Sequence, residues 1–129
     1  GDDAFLLYSP HSLCREYYIE CTCNMMRPRT IVDYERIPWI LDAGTVRITF
    51  DSDVRAAIGS YDIFDPGLPA LSVLEPGKLI LEVKFTEMLP QLLRDVLPPP
   101  AAEFTAVSKY VLCYEKTRYM NGFEYWYET

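Results

Sequence analysis

The apolar positions of this chain follow two periods. Over SPHSLCREYYIECTCNMM, residues 9–26, Leu13, Tyr17, Cys21 and Met25 recur at helical spacing, joined by Cys14 and Tyr18. Ser9 suits an N-cap and Pro10 a first helical position, and Arg27-Pro28 ends the pattern. Residues 30–57 change period. RTIVDYERIPWI is rich in β-branched and aromatic residues, and TVRITF sets Val46, Ile48 and Phe50 against Thr45, Arg47, Thr49 and then Asp51. The short Asp42-Ala43-Gly44 turn between them predicts an antiparallel hairpin, with Pro38 at an edge or bulge.

Residues 59–77, punctuated by Gly59, Pro66, Gly67, Pro69, Pro76 and Gly77, read as a long exposed loop. A third strand is predicted over 78–86. Leu79, Leu81, Val83 and Phe85 take one face of it, and Ile80, Glu82, Lys84 and Thr86 the other. Two more helices follow. Residues 89–97 carry Leu89, Leu92, Leu93 and Val96 on one side and stop at three prolines; residues 106–120 align Ala106, Tyr110, Cys113 and Thr117, with Asn121-Gly122 as the stop. The tail FEYWYET reads as an added strand or a plain terminus.

These elements predict an α+β fold, an antiparallel sheet with three covering helices. Three strands are few for this much apolar helix surface, and a sheet so small exposes its edges. The pattern therefore predicts part of a larger sheet, with self-association through the open strand edges. At 129 residues the chain is one domain, 1–129. Its net charge of −7 argues against a protein that coats nucleic acid or an anionic membrane, though not against a local basic pocket. No apolar run approaches membrane-spanning length and no signal-type segment opens the chain, which places it by default in the cytoplasm. The chain begins with Gly, so it reads as processed or as a piece of something longer. Cys14, Cys21, Cys23 and Cys113 contain no C-x-x-C pair, and with His11 as the only histidine they read as small packing residues rather than a zinc site.

Basic residues stand on predicted strand faces or helix starts at Arg36, Arg47, Lys84 and Lys109, with Glu82 beside Lys84 and Asp51 beyond Arg47. Gathered on one concave surface, they would suit polyphosphate: guanidinium and ammonium groups grip phosphate oxygens, and a carboxylate holds the bridging divalent ion. The same residues are also what the wet face of any antiparallel sheet carries, and pattern alone favours that plainer use.

Four strings in order change the balance. RPRTIVDYERIPW, GTVRITFDSDVRA, LILEVKFTEMLPQLLRDVL and VSKY resemble the C-terminal half of bacterial VTC domains, the polyphosphate-polymerase-like members of the triphosphate tunnel, or CYTH-like, superfamily. The resemblance runs from about Arg27 to about Cys113. It implies a closed antiparallel barrel whose polar interior takes a triphosphate together with Mn2+ or Mg2+. It also implies transfer of the γ-phosphoryl of ATP onto polyphosphate, with tripolyphosphate or nucleoside triphosphate hydrolysis as one alternative. A non-catalytic module that binds polyphosphate or a protein is another. Arg36, Arg47 and Lys84 would then be the catalytic, phosphate-gripping cations and Glu82 the metal-binding carboxylate. Ser108 and Lys109 would close the wall, and Asp51 and Arg55 would support it, with Arg55 adding to substrate binding. A helix starting at VSKY would add its free N–H groups. The family's N-terminal half, with its opening E-x-K-type strand, has no counterpart here. The resemblance therefore predicts half a tunnel, with little or no transferase activity for this chain alone.

Overall fold

A computed structural model describes residues 3–99 and 102–120. Its centre is a hairpin. β1, Val32–Leu41, pairs antiparallel with β2, Val46–Ala57, across a 3-10 turn at Ala43–Thr45. β2 is long enough to be shared on its other side by two short strands. β4, Ile80–Lys84, pairs with Arg47–Asp51, and β3, Ala70–Ser72, pairs with Arg55–Ala57. β3 falls inside the stretch expected to be loop; three residues between prolines are too short to show an alternation. Gly59 and Gly77, both at positive φ, turn the chain on either side of it, a conformation glycine adopts without a Cβ clash.

β1 and β2 slip register once. Asp33 faces Arg55 and Glu35 faces Ser52, so Tyr34 stands opposite two residues, Asp53 and Val54. The extra residue makes a bulge, with Asp53 at φ 49°. Alternation reverses there. Thr49 and Asp51 before the bulge, and Val54 and Ala56 after it, are all buried.

Among the described residues one helix covers this sheet. α3, Lys109–Thr117, lies against β2 and β1, and Cys113 completes a small core with Val54 and Ala56. Val32, Tyr34, Val73, Leu74 and Ile80 pack around it. Burial pushes the Cys113 thiol up from its ordinary value, and its Sγ donates to the Arg55 carbonyl. Thr117 is buried as well, its hydroxyl donating to the Cys113 carbonyl.

The expectation of three covering helices is corrected. α1, Ser12–Cys23, packs against the 3-10 turn at Ala4–Tyr8, and neither it nor α2, Gln91–Val96, makes an extensive contact with the sheet. Leu13, Tyr17 and Met25 of the expected stripe are exposed. α1 begins later than Ser9, after His11, whose N–H donates to the Ser9 hydroxyl. Its end is held by the Met26 N–H on the Glu20 carbonyl and by Arg27 Nη1 on the Cys21 carbonyl, local bonds that add to its packing on the 3-10 turn. α3 likewise starts at Lys109 rather than 106, because Ser108 takes the N-cap. The sheet is antiparallel and the fold α+β, but the sheet is open: it does not close into a barrel among the described residues. The expected Asn121-Gly122 stop and the FEYWYET segment lie outside the described residues.

Candidate functional site

The strand pairing decides which charges can meet. Three rungs cross the sheet on one face: Arg36–Asp51–Ile80, then Pro38–Thr49–Glu82, then Ile40–Arg47–Lys84. Residues two apart on a strand share a face and lie about 7 Å apart, so the charged rungs span about 14 Å. Arg47 and Glu82 therefore stand on the same side of the sheet, one rung apart. Lys109 reaches this face from the first residue of α3. Four cations (Arg36, Arg47, Lys84, Lys109) meet two carboxylates (Asp51, Glu82), which leaves a positive face on an acidic chain.

The cations are not equivalent. Arg36 grips Asp51 with two parallel bonds, Nε to Oδ1 at 2.6 Å and Nη2 to Oδ2 at 2.7 Å, and Lys109 Nζ donates to the same Oδ2 at 2.7 Å. The Asp51 side chain is 0% exposed, against 38% for Arg36 and 19% for Lys109. Arg36 and then Lys109 hold the Asp51 carboxyl at about 2, below its ordinary 3.8 and against the opposing effect of burial. Arg36 is pushed up in turn, chiefly by its bond to Asp51. Both cations sit over the Tyr34 ring, at 5.1 and 5.2 Å from its centroid.

Toward the other end, Lys84 Nζ pairs with Glu82 Oε1 at 2.9 Å. That bond lowers the Glu82 pKa, with Lys109 and Arg36 adding to the effect through space, so the three rungs share one electrostatic environment. Arg47 makes no salt bridge among the described residues and is exposed. Beyond its rung a cleft of about 510 Å³ is lined by Thr45, Arg47, Lys84, Phe85 and Thr86, with the Thr45 and Thr86 hydroxyls bonded to each other.

Of the residues expected at the site, Arg36, Arg47, Glu82, Lys84 and Lys109 converge. Ser108 sits at their edge as the α3 N-cap, its hydroxyl accepting the Val111 N–H at 3.3 Å, so a helix does begin where VSKY predicted one. Arg55 does not join them. Past the bulge it pairs across the strand with Asp33, on the face opposite Arg36, and donates to Asp33 Oδ2 at 2.6 Å with Asp53 at 3.5 Å. Asp51, expected in a supporting role, is the hub of the Arg36 end, and Tyr34, which no motif marks, is the ring beneath both cations. The signal for Asp51 was in the hairpin: counting outward from Leu41 opposite Val46, five steps bring Arg36 opposite Asp51.

The donor set also bears on a metal ion. Among the described residues no group of three His, Cys, Asp or Glu side chains could hold one. Glu82 is the face's one carboxylate with an oxygen outside the protein's own bonds. A single carboxylate fits Mg2+ or Mn2+ held mainly by the oxygens of a phosphate ligand and water, and does not fit a dedicated protein cage.

The VTC domain family matches residues 9–118. The chain belongs to the VTC domain family. No curated protein and no solved structure matches it. The match takes in the four strands, the three α-helices and the charged rungs found among the described residues of this VTC domain. No helix among its described residues is long and apolar enough to cross a membrane.

Proposed function

We propose that this VTC domain supplies one wall of a triphosphate-binding site that transfers the γ-phosphoryl of ATP to polyphosphate. The observation that carries the reading is the convergence of Arg36, Arg47, Lys84 and Lys109 with Glu82 on one face, drawn from three strands and one helix start. A row of phosphates has several negative charges in line, and a positive strip about 14 Å long can neutralise several of them at once. Arg47, free of a protein carboxylate among the described residues, and Lys84, at the solvent end, would take the outer oxygens. Arg36 and Lys109 would take the inner ones.

In the transfer, an oxygen of the terminal phosphate of the chain attacks the γ-phosphorus. The bond from that phosphorus to the β,γ-bridging oxygen breaks, and ADP leaves with the electron pair. Water in place of the chain end would give ADP and inorganic phosphate. The protein's part is to hold the phosphates in line and offset the charge they develop, which needs no protein nucleophile. Glu82 would hold a divalent ion, Mg2+ or Mn2+, which would supply positive charge to offset that of the phosphates. Lys84, now paired with Glu82, would exchange that bond for one to a phosphate oxygen.

The test uses the full-length protein with ATP and Mn2+, its products separated by thin-layer chromatography. Long polyphosphate is expected, free phosphate alone would favour hydrolysis, and no turnover with intact binding would favour a binding module. Glu82→Gln is expected to lower metal-dependent turnover by about 10²-fold or more. Unchanged turnover in that variant would overturn the assignment of Glu82.

A further inference from the structure

We infer that Asp51 is a positioning residue, which fixes Arg36 and Lys109 as a preformed pair of donors for the anionic ligand. This rests on the proposed phosphate-binding reading and adds a residue to it. Asp51 is fully buried, so a ligand cannot reach it, and its carboxylate already accepts three N–H bonds. That leaves it poorly suited to a metal ion. Its effect is instead on its neighbours. Arg36 Nη2 and Lys109 Nζ each lie 2.7 Å from the same oxygen, so they are no farther apart than twice that distance. Two cations so close repel each other, and without a charge between them they would separate.

Asp51 uses two of the five N–H donors of Arg36 and one of the three on Lys109. The other donors meet no protein oxygen among the described residues, and both side chains keep exposed surface. Tyr34 supports the two cations from beneath, so their place is set by a carboxylate and a ring together. Anchorage spans the fold: Arg36 lies on β1, Asp51 on β2 and Lys109 at the start of α3. The pair therefore also fixes where α3 begins relative to the sheet.

Two effects of removing the Asp51 charge have opposite signs. If Asp51 merely competed with the ligand for the cations, Asp51→Asn would tighten anion binding. If it positions them, Asp51→Asn weakens binding, because the donors lose their geometry. Tripolyphosphate with Mg2+ is the probe, measured by titration calorimetry on the full chain, with circular dichroism reporting the fold. The expected result is binding by the wild type and at least about tenfold weaker binding by Asp51→Asn at unchanged dichroism. A purely structural role would lower the melting temperature and leave the affinity of the folded protein intact. Asp51→Glu keeps the charge and displaces it by one methylene; it is expected to bind about threefold or more weakly. Equal or tighter binding by Asp51→Asn overturns the inference while the proposed function stands. Should Asp51→Asn not fold, wild-type affinity in Asp51→Glu overturns it. No binding by the wild type overturns the proposed function and this inference together.

Discussion

The two faces of the sheet contrast in a way that inverts the usual order. An antiparallel sheet with one covered side normally buries its apolar face and wets its polar one. Here α3 lies over the face that carries Arg36, Thr49, Asp51 and Glu82, closing it at one end with Val54, Ala56 and Cys113. On the opposite face Ile37, Trp39, Ile48, Phe50, Leu81 and Val83 stand together, yet Ile37 is 59% and Trp39 63% exposed. On the charged side the buried carboxylate is fully paired, and on the apolar side Val46 is buried while Ile37 and Trp39 stay open to solvent. A charged sheet face is stable under a helix when each buried charge has its partner, as Asp51 does, whereas an apolar face in water gains nothing until something lies on it.

That contrast can be broken at its strongest point first. Val54→Asp puts an unpaired charge beneath α3 and is expected to cost more than about 4 kcal/mol, abolishing cooperative unfolding in urea titration. A loss under about 1 kcal/mol would mean that α3 does not close this side. Acid comes next. The folded Asp51 carboxyl titrates at about 2, below its ordinary 3.8, so its stabilisation is fully present above about pH 4 and is lost as pH falls through 2. The shift corresponds to on the order of 2 kcal/mol, and Glu82, also lowered, acts in the same direction. Urea midpoints between pH 5 and 2 should fall in the wild type and stay flatter in Asp51→Asn. The smallest effect on stability is expected on the open apolar face. Trp39→Glu should change unfolding free energy by no more than about 0.5 kcal/mol in urea titration. A large destabilisation there would mean that this face is covered in solution by the chain itself.

Much of the charged face could be read in the sequence because strand alternation and a short turn are local facts. Once Leu41 is set opposite Val46, the pairing of Arg36 with Asp51 follows by counting, and the alternation over 78–86 puts Glu82 and Lys84 on one side. Other features depend on what no local pattern encodes. The pairing puts Ile37, Trp39, Ile48 and Phe50 on one face, but alternation does not say what lies on it, and the apolar stripes of α1 and α2 make no extensive contact with the sheet. The resemblance of GTVRITFDSDVRA groups Arg55 with the site, and nothing local in that string shows that its side chain turns to the other face. The bulge has no glycine to announce it, since an aspartate takes the left-handed conformation there. Ala106 fits the α3 stripe and predicts a start three residues before the observed one, which the capping bond of Ser108 sets.

The one surplus residue in β2 acts as a frame shift in side-chain orientation. Upstream of Asp53 the odd-numbered side chains face α3's side of the sheet, and downstream the even-numbered ones do, so a single strand presents hydrophilic lining and then hydrocarbon to the same side. Removing that residue would exchange Val54 and Ala56 with Arg55 and leave α3 resting on a guanidinium. The boundary between a wet groove and a dry core is thus set within β2 itself, by a miscount of one.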